Sequence, residues 1–189
     1  MRIGWDVDSV NAVEVARILE DSGIQAIAVH GRTRAQGYSG EADWEVIDAV
    51  ARAVKIPVIG NGDITCGADV LRRRQETAVS GVMIGRAAMQ NPWVFREAKH
   101  FLETGNLLEE VTVAERWELV SRHCKLAVAS RRNGDERQTL TAMRSRLMAY
   151  CKGFPGAKEL RQKLCQVTSL TEVEELAALS LGKVELAEW

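Results

Sequence analysis

The chain has 189 residues, of which 46% are hydrophobic and 27% charged, an ordinary globular composition that argues against intrinsic disorder. No stretch approaches the roughly 18–20 consecutive apolar residues of a membrane helix, and the amino terminus has neither the basic nor the apolar region of a signal peptide. We therefore predict a cytoplasmic protein with no membrane association. The formal net charge of −1 indicates no particular partner.

Short apolar runs in the first part of the chain have the length and composition of buried strands. They are separated by helical patterns at intervals of roughly 25–30 residues, which predicts βαβ units and a parallel sheet. A (β/α)8 barrel and a doubly wound sheet both fit this alternation, and both place their ligands at the carboxyl ends of the strands. The predicted strands are residues 2–5, 24–29, 56–59 and 81–84.

Polar residues that suit helix N-caps precede the helical patterns between these strands. Asp8 or Ser9 is expected to cap a helix over 11–22, and Asp43 is expected to cap the helix that leads into the third strand. The Asn-Pro pair at 91–92 suits the N-cap and first helical position of a further helix, which closes this part of the chain.

The second part of the chain is helical throughout and predicts a small all-helical domain. Thr112 and Glu115 form a capping box that opens its first helix. Asp135 is expected to cap the second helix and Thr171 the fourth, because each precedes a stripe of apolar residues at helical spacing.

Two glycine-containing segments follow neighbouring predicted strands and carry the strongest chemical signal in the chain. Asn61, Gly62 and Asp63 end one strand, and Gly85 and Arg86 end the next. Glycine lets the backbone approach an anion closely, and arginine adds a fork that matches phosphate. In (β/α)8 barrels the loops after the seventh and eighth strands commonly form a phosphate site. The pairing predicts such a site, and tight turns with a surface arginine are the alternative.

A polar loop follows the strand that precedes these two. His30 ends that strand, where its imidazole is suited to donate a hydrogen bond to a phosphate oxygen. Arg32 and Arg34 lie in the loop GRTRAQGYSGEADW, whose length and polarity are typical of binding loops. A structural histidine and a mobile, solvated loop are equally consistent with these residues.

The cysteines predict neither a metal site nor a disulfide framework, because no two of them form a CxxC pair. Cys66 lies near the expected ligand face, but no histidine or other base stands close to it in sequence, so we do not expect it to be a nucleophile. Reduced and mostly buried thiols are the expected state of Cys66, Cys124, Cys151 and Cys165.

Charge is segregated along the helical part of the chain. Residues 122–163 contain eleven lysines and arginines against three acidic residues, a local net charge of +8, whereas residues 164–189 have a net charge of −4. A basic face on a nearly neutral protein is typical of a surface that binds a polyanion. A solvated helical surface explains the same pattern equally well.

Several runs taken together resemble the tRNA-dihydrouridine synthases. VHGRTRAQGYSGEADW, IPVIGNGDI and SGVMIGRAAMQNPWVF occur in the order and spacing of that family, and MRSRLMAYCKGFPGAKELR resembles its helical RNA-binding domain. The resemblance covers nearly the whole chain. It implies an α/β fold in which residues 1–106 are the last strands of an FMN-binding (β/α)8 TIM barrel, followed by a helical tRNA-binding domain over 107–189.

The same resemblance implies a reaction and a set of site residues. Reduced FMN, recharged by NADPH, would deliver hydride to C6 of a uridine that is flipped out of the tRNA stack, and a cysteine would protonate C5. The implied cofactor-binding residues are His30, Asn61, Gly62, Asp63, Gly85 and Arg86. The implied substrate-binding residues are Arg32, Arg34, Arg144, Arg146 and Lys152.

The chain also departs from the family. The catalytic cysteine and a flavin-contacting lysine of the family belong to strands that would precede Met1, and none of the four cysteines matches the catalytic position. A complete barrel takes roughly 250 residues, whereas about four strands fit here before the helical domain. We therefore expect a carboxyl-terminal fragment that is inactive alone. Its open parallel edges predict poor solubility or pairing with the missing amino-terminal half of the barrel.

Two other functions stay open at this point. The first is a non-catalytic RNA-binding protein that retains the scaffold. The second is another barrel oxidoreductase that binds FMN or a sugar phosphate and acts on a small metabolite. Salt-dependent binding to tRNA would count against the second function, because a small-molecule enzyme has no need of the basic segment.

Overall fold

The computed structural model of the chain describes residues 1–131, 134–151 and 156–185, with side chains as far as residue 182. Lys152, one of the predicted substrate-binding residues, lies outside the described residues. Within them, no helix combines the length and the apolar character that a membrane crossing requires.

The chain divides into two compact units, each with its own hydrophobic core. The first unit comprises Met1–Ala88 and Pro92–Leu108. The second comprises Met89–Asn91 and the chain from Glu109 onward. The first contains the sheet, and the second is helical in its described part.

The first unit is built on a parallel sheet of three strands in the order β1-β2-β3, which confirms the predicted parallel arrangement. The register places His30 beside Asn61, and Asn61 beside Met83, so the carboxyl ends of the three strands form one row. This row is the edge where a parallel sheet presents its ligand-binding loops. The strands are β1 (Ile27–His30), β2 (Val58–Asn61) and β3 (Gly81–Met83).

β1 and β2 begin later along the chain than the apolar runs predict. Ile24 donates its backbone N–H to the Leu19 carbonyl, so the first residues of the run 24–29 complete the preceding helix. Ile56 donates its N–H to the Glu20 carboxylate at 3.0 Å and is thereby kept out of the sheet. Both deviations come from contacts that local apolar character does not reveal.

The strand predicted over residues 2–5 is reduced to a single parallel bridge between Arg2 and His30. Gly4 then forms an antiparallel bridge with Val10, because the chain turns back on itself directly after the first bridge. The segment nevertheless contacts the loop after β1, since Arg34 donates its N–H to the Gly4 carbonyl at 2.9 Å.

Helices precede and follow the strands of the first unit, and several of them supply side chains to its core. Aliphatic side chains from one face of the sheet and from the helices make up this core, including Val29, Ile47, Val50, Val58 and Val70. The elements are a 3-10 turn (Val7–Ser9), α1 (Ala12–Asp21), α2 (Trp44–Ala53), α3 (Gly67–Glu76), α4 (Arg86–Gln90) and α5 (Val94–Thr104).

The N-caps of these helices are partly as predicted. The Asp43 side chain accepts a hydrogen bond from the Val46 N–H, which confirms it as the cap of α2. The N-cap of α1 is Asn11 rather than Asp8 or Ser9, because those two residues belong to the preceding 3-10 turn. The N-cap of α5 is Trp93 rather than Asn91, since its carbonyl accepts the first helical hydrogen bond.

Four helices form the second unit in its described part. Their apolar faces meet in a core that contains Trp117, Val120, Cys124, Leu140, Leu147, Leu164 and Val173. The helices are α6 (Val113–Ser130), α7 (Glu136–Tyr150), α8 (Ala157–Leu164) and α9 (Leu170–Glu185).

Polar caps begin three of these helices. The Thr112–Glu115 capping box of α6 and the Asp135 cap of α7 are confirmed by hydrogen bonds in the expected directions. Thr171 is not the cap of α9: the Ser169 hydroxyl accepts the Glu172 N–H at 3.2 Å, so the helix begins earlier than predicted. The Glu172 carboxylate in turn accepts the Thr168 N–H and thus favours the earlier start.

Candidate functional site

The carboxyl ends of β2 and β3 are joined by a side chain. Asn61 is the last residue of β2, and its Nδ2 donates to the Met83 carbonyl at 2.8 Å. This bond fixes the amide beside the start of the Gly85-Arg86 segment. The sequence motifs at the two strand ends therefore lie next to each other in the first unit, as the parallel register requires.

The turn after β2 needs an unusual backbone. Gly62 has a φ of 140°, and a Cβ added there would overlap the Cβ of Ala42 in the loop after β1. Asp63 follows with a φ of 53°, in the left-handed region that non-glycine residues adopt rarely. The Gly62 carbonyl accepts a hydrogen bond from the Trp44 Nε1 at 3.0 Å. The glycine is thus required by close packing as well as by its backbone angle.

This backbone directs the Asp63 carboxylate toward three donors. It accepts hydrogen bonds from the Ala42 N–H at 2.8 Å, from the Arg32 Nη2 at 2.9 Å and from the Arg86 Nη2 at 2.9 Å. Partial burial acts to raise the pKa of Asp63, but the hydrogen bonds and the charges of both arginines outweigh it, and the pKa falls below its usual value. Asp63 is therefore a carboxylate at neutral pH.

Arg32 lies beneath the loop rather than on its surface, with 2% of its side chain exposed. Besides Asp63, its guanidinium donates to the backbone carbonyls of Ser39 and Gly40. Its Nη1 is buried and has no hydrogen-bond partner in the described part of the chain. The contact of Arg32 with a substrate stays a prediction, since the polar contacts of this side chain are with its own loop and with Asp63.

Arg86 is the exposed member of the cluster, with 55% of its side chain accessible to solvent. Its guanidinium carbon lies 5.0 Å from the centre of the Tyr38 ring, a cation–π distance. A cavity of about 380 Å³ opens beside it and has more cationic than anionic lining residues. The charged residues that line it are Arg32, Arg72, Arg73, Arg86, Glu41 and Asp63.

His30 lies at the end of β1, within the same row of strand ends. Burial lowers its pKa, and the nearby charges of Arg2 and Arg32 lower it further. The imidazole is therefore neutral at pH 7, with one nitrogen available as a donor and one as an acceptor. Its ring centre lies 6.4 Å from that of Tyr38.

The remaining predicted residues have no hydrogen bond with this cluster in the described structure. Arg34 is exposed in the loop after β1. Arg144 and Arg146 belong to α7 in the second unit, where Arg146 is exposed and Arg144 is half-buried. The Arg144 Nε is buried without a hydrogen-bond partner among the described residues. The substrate roles of these three arginines stay predictions.

The prediction of mostly buried thiols holds for two of the four cysteines in the described residues, whereas Cys66 is exposed and Cys165 is half-buried. Cys124 and Cys151 are buried, and burial raises the pKa of each thiol to about 11. Cys66 is exposed at the start of α3, and its Sγ lies 3.6 Å from an Asp69 oxygen. No group of three or more His, Cys, Asp or Glu in this part of the chain is arranged to hold a metal ion.

Tyr38 and Ala42 belong to the site but were not predicted from the sequence. Tyr38 lies in the polar loop and contacts Arg86 across a long stretch of chain. Ala42 supplies a backbone donor to Asp63, a role that any residue type can perform. The sequence indicates the contact between Tyr38 and Arg86 only through the presence of an aromatic residue in a loop rich in arginine and glycine.

Comparison with known proteins identifies relatives of the chain. The family model described as dihydrouridine synthase matches residues 1–184. The probable tRNA-dihydrouridine synthase 1 of Synechocystis sp. is 38% identical over 185 residues, which are 98% of this chain and 51% of that protein. The tRNA-dihydrouridine synthase B of Pseudomonas aeruginosa is 43% identical over 161 residues, which are 85% of this chain and 48% of that protein.

The similarity extends through both units of the chain. The tRNA-dihydrouridine synthase B of Vibrio cholerae is 45% identical over 122 residues, which are 65% of this chain and 38% of that protein. The chain spans about half the length of the curated relatives it matches. On the family match and these identities, the chain belongs to the dihydrouridine synthase family.

Proposed function

We propose that this chain is the part of a flavin-dependent tRNA-dihydrouridine synthase that holds the FMN phosphate and contacts tRNA. The observation that carries the proposal is the Arg86 guanidinium, anchored to Asp63 beside Gly85 at the ends of neighbouring parallel strands. The full reaction would reduce uridine to 5,6-dihydrouridine in tRNA, with NADPH as the reductant. The names of the relatives state dihydrouridine synthesis in tRNA, which is carried over to this chain as part of the proposal, and FMN and NADPH are the proposal's own additions.

The donors of the cluster fit a phosphate monoester. Arg86 uses Nη2 to bind Asp63, which leaves the other N–H groups of its fork for a ligand. Nothing crowds Gly85, because a Cβ added there would meet only the Asn61 amide at 3.8 Å. An approaching phosphate would thus find backbone, amide and guanidinium donors together, with the buried Nη1 of Arg32 adding positive charge nearby.

Bound FMN would supply the hydride that the reaction requires. The residues of this chain would bind and orient it: Arg86, Gly85 and the Asn61–Asp63 turn at the phosphate, with neutral His30 offering a donor to the flavin. No hydrogen bond in the described structure connects any of the four cysteines to this cluster, and the Cys66 thiol, at the N-cap of α3, contacts Asp69 instead. We therefore assign no proton donor to this chain and expect it to be inactive alone.

We propose that β1, β2 and β3 are the last strands of a (β/α)8 barrel. In support, β3 has one pairing partner in the sheet, and a cavity of about 470 Å³ lies beside it. This cavity is lined by Val82 and Ile84 from the region of β3 and by Phe95, which is exposed. A mostly apolar groove, which Arg74, Lys99 and Glu103 also line, is suited to further strands and helices, and the longer relatives have room to supply them.

The second unit, which is helical, is proposed to contact tRNA through its basic helices. On α7 the Arg144 and Arg146 side chains fit this role because an RNA backbone presents closely spaced phosphates. The acidic residues that follow on α9 make the distribution of charge along the sequence of this unit uneven. Arginine is suited to RNA because its fork binds phosphate and its plane stacks on bases.

The proposal is tested by titrating the chain with FMN and with riboflavin, which differs by lacking the phosphate, and following flavin fluorescence. We expect FMN to bind at least about tenfold more tightly, the effect of one or two charge-assisted hydrogen bonds. Equal affinity for the two flavins would reject the phosphate site. Salt-dependent tRNA binding together with equal flavin affinities would favour a non-catalytic RNA-binding protein.

A further inference from the structure

We infer that Arg32 is a positioning residue of the phosphate site, which fixes the Asp63 carboxylate so that Asp63 in turn holds Arg86 toward the ligand. The inference rests on the proposed function and deepens it, because it assigns a role to a buried side chain that does not itself touch the phosphate. The connection runs through three side chains: Arg32, Asp63 and Arg86.

The first link is rigid because Arg32 is bound on several sides. Its Nε donates to the Ser39 carbonyl at 3.2 Å, and its Nη2 donates to the Gly40 carbonyl and to Asp63. These acceptors lie in two different segments, the loop after β1 and the turn after β2. Lysine has a single ammonium group without the planar fork, so it cannot reproduce this set of bonds.

The second link is the orientation of the Asp63 carboxylate. The Arg32 Nη2 lies 2.9 Å from both of its oxygens, and the Ala42 N–H holds the Oδ2 at 2.8 Å. With Oδ2 occupied in this way, Oδ1 points toward Arg86 and accepts its Nη2 at 2.9 Å. Without Arg32, the carboxylate would keep one backbone donor and gain rotational freedom about its side-chain bonds.

The third link is the placement of Arg86. Its side chain is long, half-exposed and bound at one nitrogen, so in solution it would sample many rotamers if Asp63 were not fixed. The Tyr38 ring supports it from one side at 5.0 Å. A pre-oriented fork binds phosphate more tightly than a mobile one, because less conformational freedom is lost on binding.

The test compares Arg32→Lys with the wild-type chain and with Arg52→Gln, a matched control at an exposed arginine of α2 that pairs with Asp48. Two readouts are taken. The first is the NMR signal of the Arg86 Nε–Hε group, assigned by its loss in Arg86→Ala. The second is the ratio of FMN affinity to riboflavin affinity, which a general loss of structure would not change selectively.

We expect Arg32→Lys to shift the Arg86 signal toward that of a free arginine and to lower the FMN-to-riboflavin ratio by about tenfold. Arg52→Gln should leave both readouts as in the wild type. Adding Asp63→Asn to Arg32→Lys should change the ratio little further, because both substitutions break the same chain of contacts. An Arg86 signal and a ratio both unchanged in Arg32→Lys would overturn the inference.

The two proposals can fail separately. A wild-type chain that binds FMN no better than riboflavin would reject the flavin site, yet the Arg86 signal would still decide whether Arg32 positions Arg86. If Arg32→Lys does not fold, the wild-type chain decides: a sharp Arg86 signal at the random-coil position shows that Arg86 is not held and overturns the inference. A displaced, slowly exchanging signal that becomes random-coil in Asp63→Asn supports it.

Discussion

The Nη2 atom of Arg32 lies 2.9 Å from both carboxylate oxygens of Asp63, and the two residues belong to different strand-end segments of the parallel sheet. This contact connects the loop after β1 to the turn after β2. Because Asp63 also binds Arg86, a single carboxylate gathers the polar residues of three consecutive strand ends. The stability of the first unit and the shape of its site therefore depend on the same few side chains.

Removing the Asp63 carboxylate should destabilise the chain far more than removing Arg86. Asp63→Ala leaves the Arg32 charge buried without its counter-ion, a loss of about 3–5 kcal/mol in the free energy of unfolding. Arg86→Ala deletes a half-exposed partner and should cost less than about 1 kcal/mol. Urea denaturation of both variants measures the difference, and equal losses would show that the Arg32–Asp63 contact is not a buried ion pair.

Acid should weaken this same contact. The pKa of Asp63 is lowered in the folded chain, so its contribution to stability is complete above the unfolded value of about 3.9 and is lost as the pH falls through the lower folded value. Asp63→Asn removes this titration. We expect the difference in unfolding free energy between wild type and Asp63→Asn to shrink as the pH falls below about 4. A constant difference between pH 7 and pH 3 would contradict the assignment.

Gly62 should tolerate no side chain. Gly62→Ala places a methyl group against Ala42 and forces a non-glycine residue to a φ of 140°, so we expect a loss of at least about 2–3 kcal/mol. Gly81→Ala is the matched control in β3, because its Cβ would lie 4.0 Å from the nearest atom. Thermal unfolding of both variants provides the comparison. A Gly62→Ala variant as stable as Gly81→Ala would show that the turn after β2 relaxes freely.

His30 should titrate below its usual pKa. Burial and the charges of Arg2 and Arg32 favour the neutral imidazole, so stability linked to His30 is complete above the unfolded pKa of about 6.5 and is lost as the pH falls through the folded value. An NMR titration of the His30 ring measures this directly. Arg2→Gln should raise the His30 pKa toward that reference value. A wild-type value above 6.5 would contradict the arrangement of charges described for the site.

Arg146 should contribute to tRNA binding through phosphate. Arg146→Gln should weaken binding and reduce the slope of log affinity against log salt by about 1, the effect expected when one phosphate contact is removed. Lys125→Gln changes the net charge equally, but Lys125 already pairs with Glu174 at 2.8 Å and is the matched control. Equal effects in the two variants would indicate attraction by overall charge rather than a contact at α7.

Local patterns predicted those features of the fold that depend on neighbours in sequence. The parallel sheet follows from apolar runs separated by helices, and the caps at Asp43, Thr112 and Asp135 follow from their position before apolar stripes. The prediction that Asn91 caps α5 was wrong. The Asn-Pro pair at 91–92 is followed by Trp93 before the helix begins at Val94. Local propensity does not determine which of several neighbouring residues begins a helix.

The contacts within the site depend on residues far apart in sequence, which is why sequence patterns located the motifs but not their geometry. Arg32 has the sequence surroundings of an exposed binding-loop arginine, yet the loop folds over it and buries it against Asp63. The contact of Tyr38 with Arg86 is equally remote in sequence. The roles assigned to the site residues stay predictions that depend on the family resemblance and on this geometry.

The measurement that most directly tests the central claim is the 31P NMR signal of FMN in the presence of the chain. We predict that its phosphate resonance shifts or broadens with the wild-type chain and with Arg52→Gln, and returns to the position of free FMN with Arg86→Ala. Arg86 would then be the residue that holds the flavin phosphate. A resonance that is unaffected by the wild-type chain, or equally affected by Arg86→Ala, would contradict the proposed site.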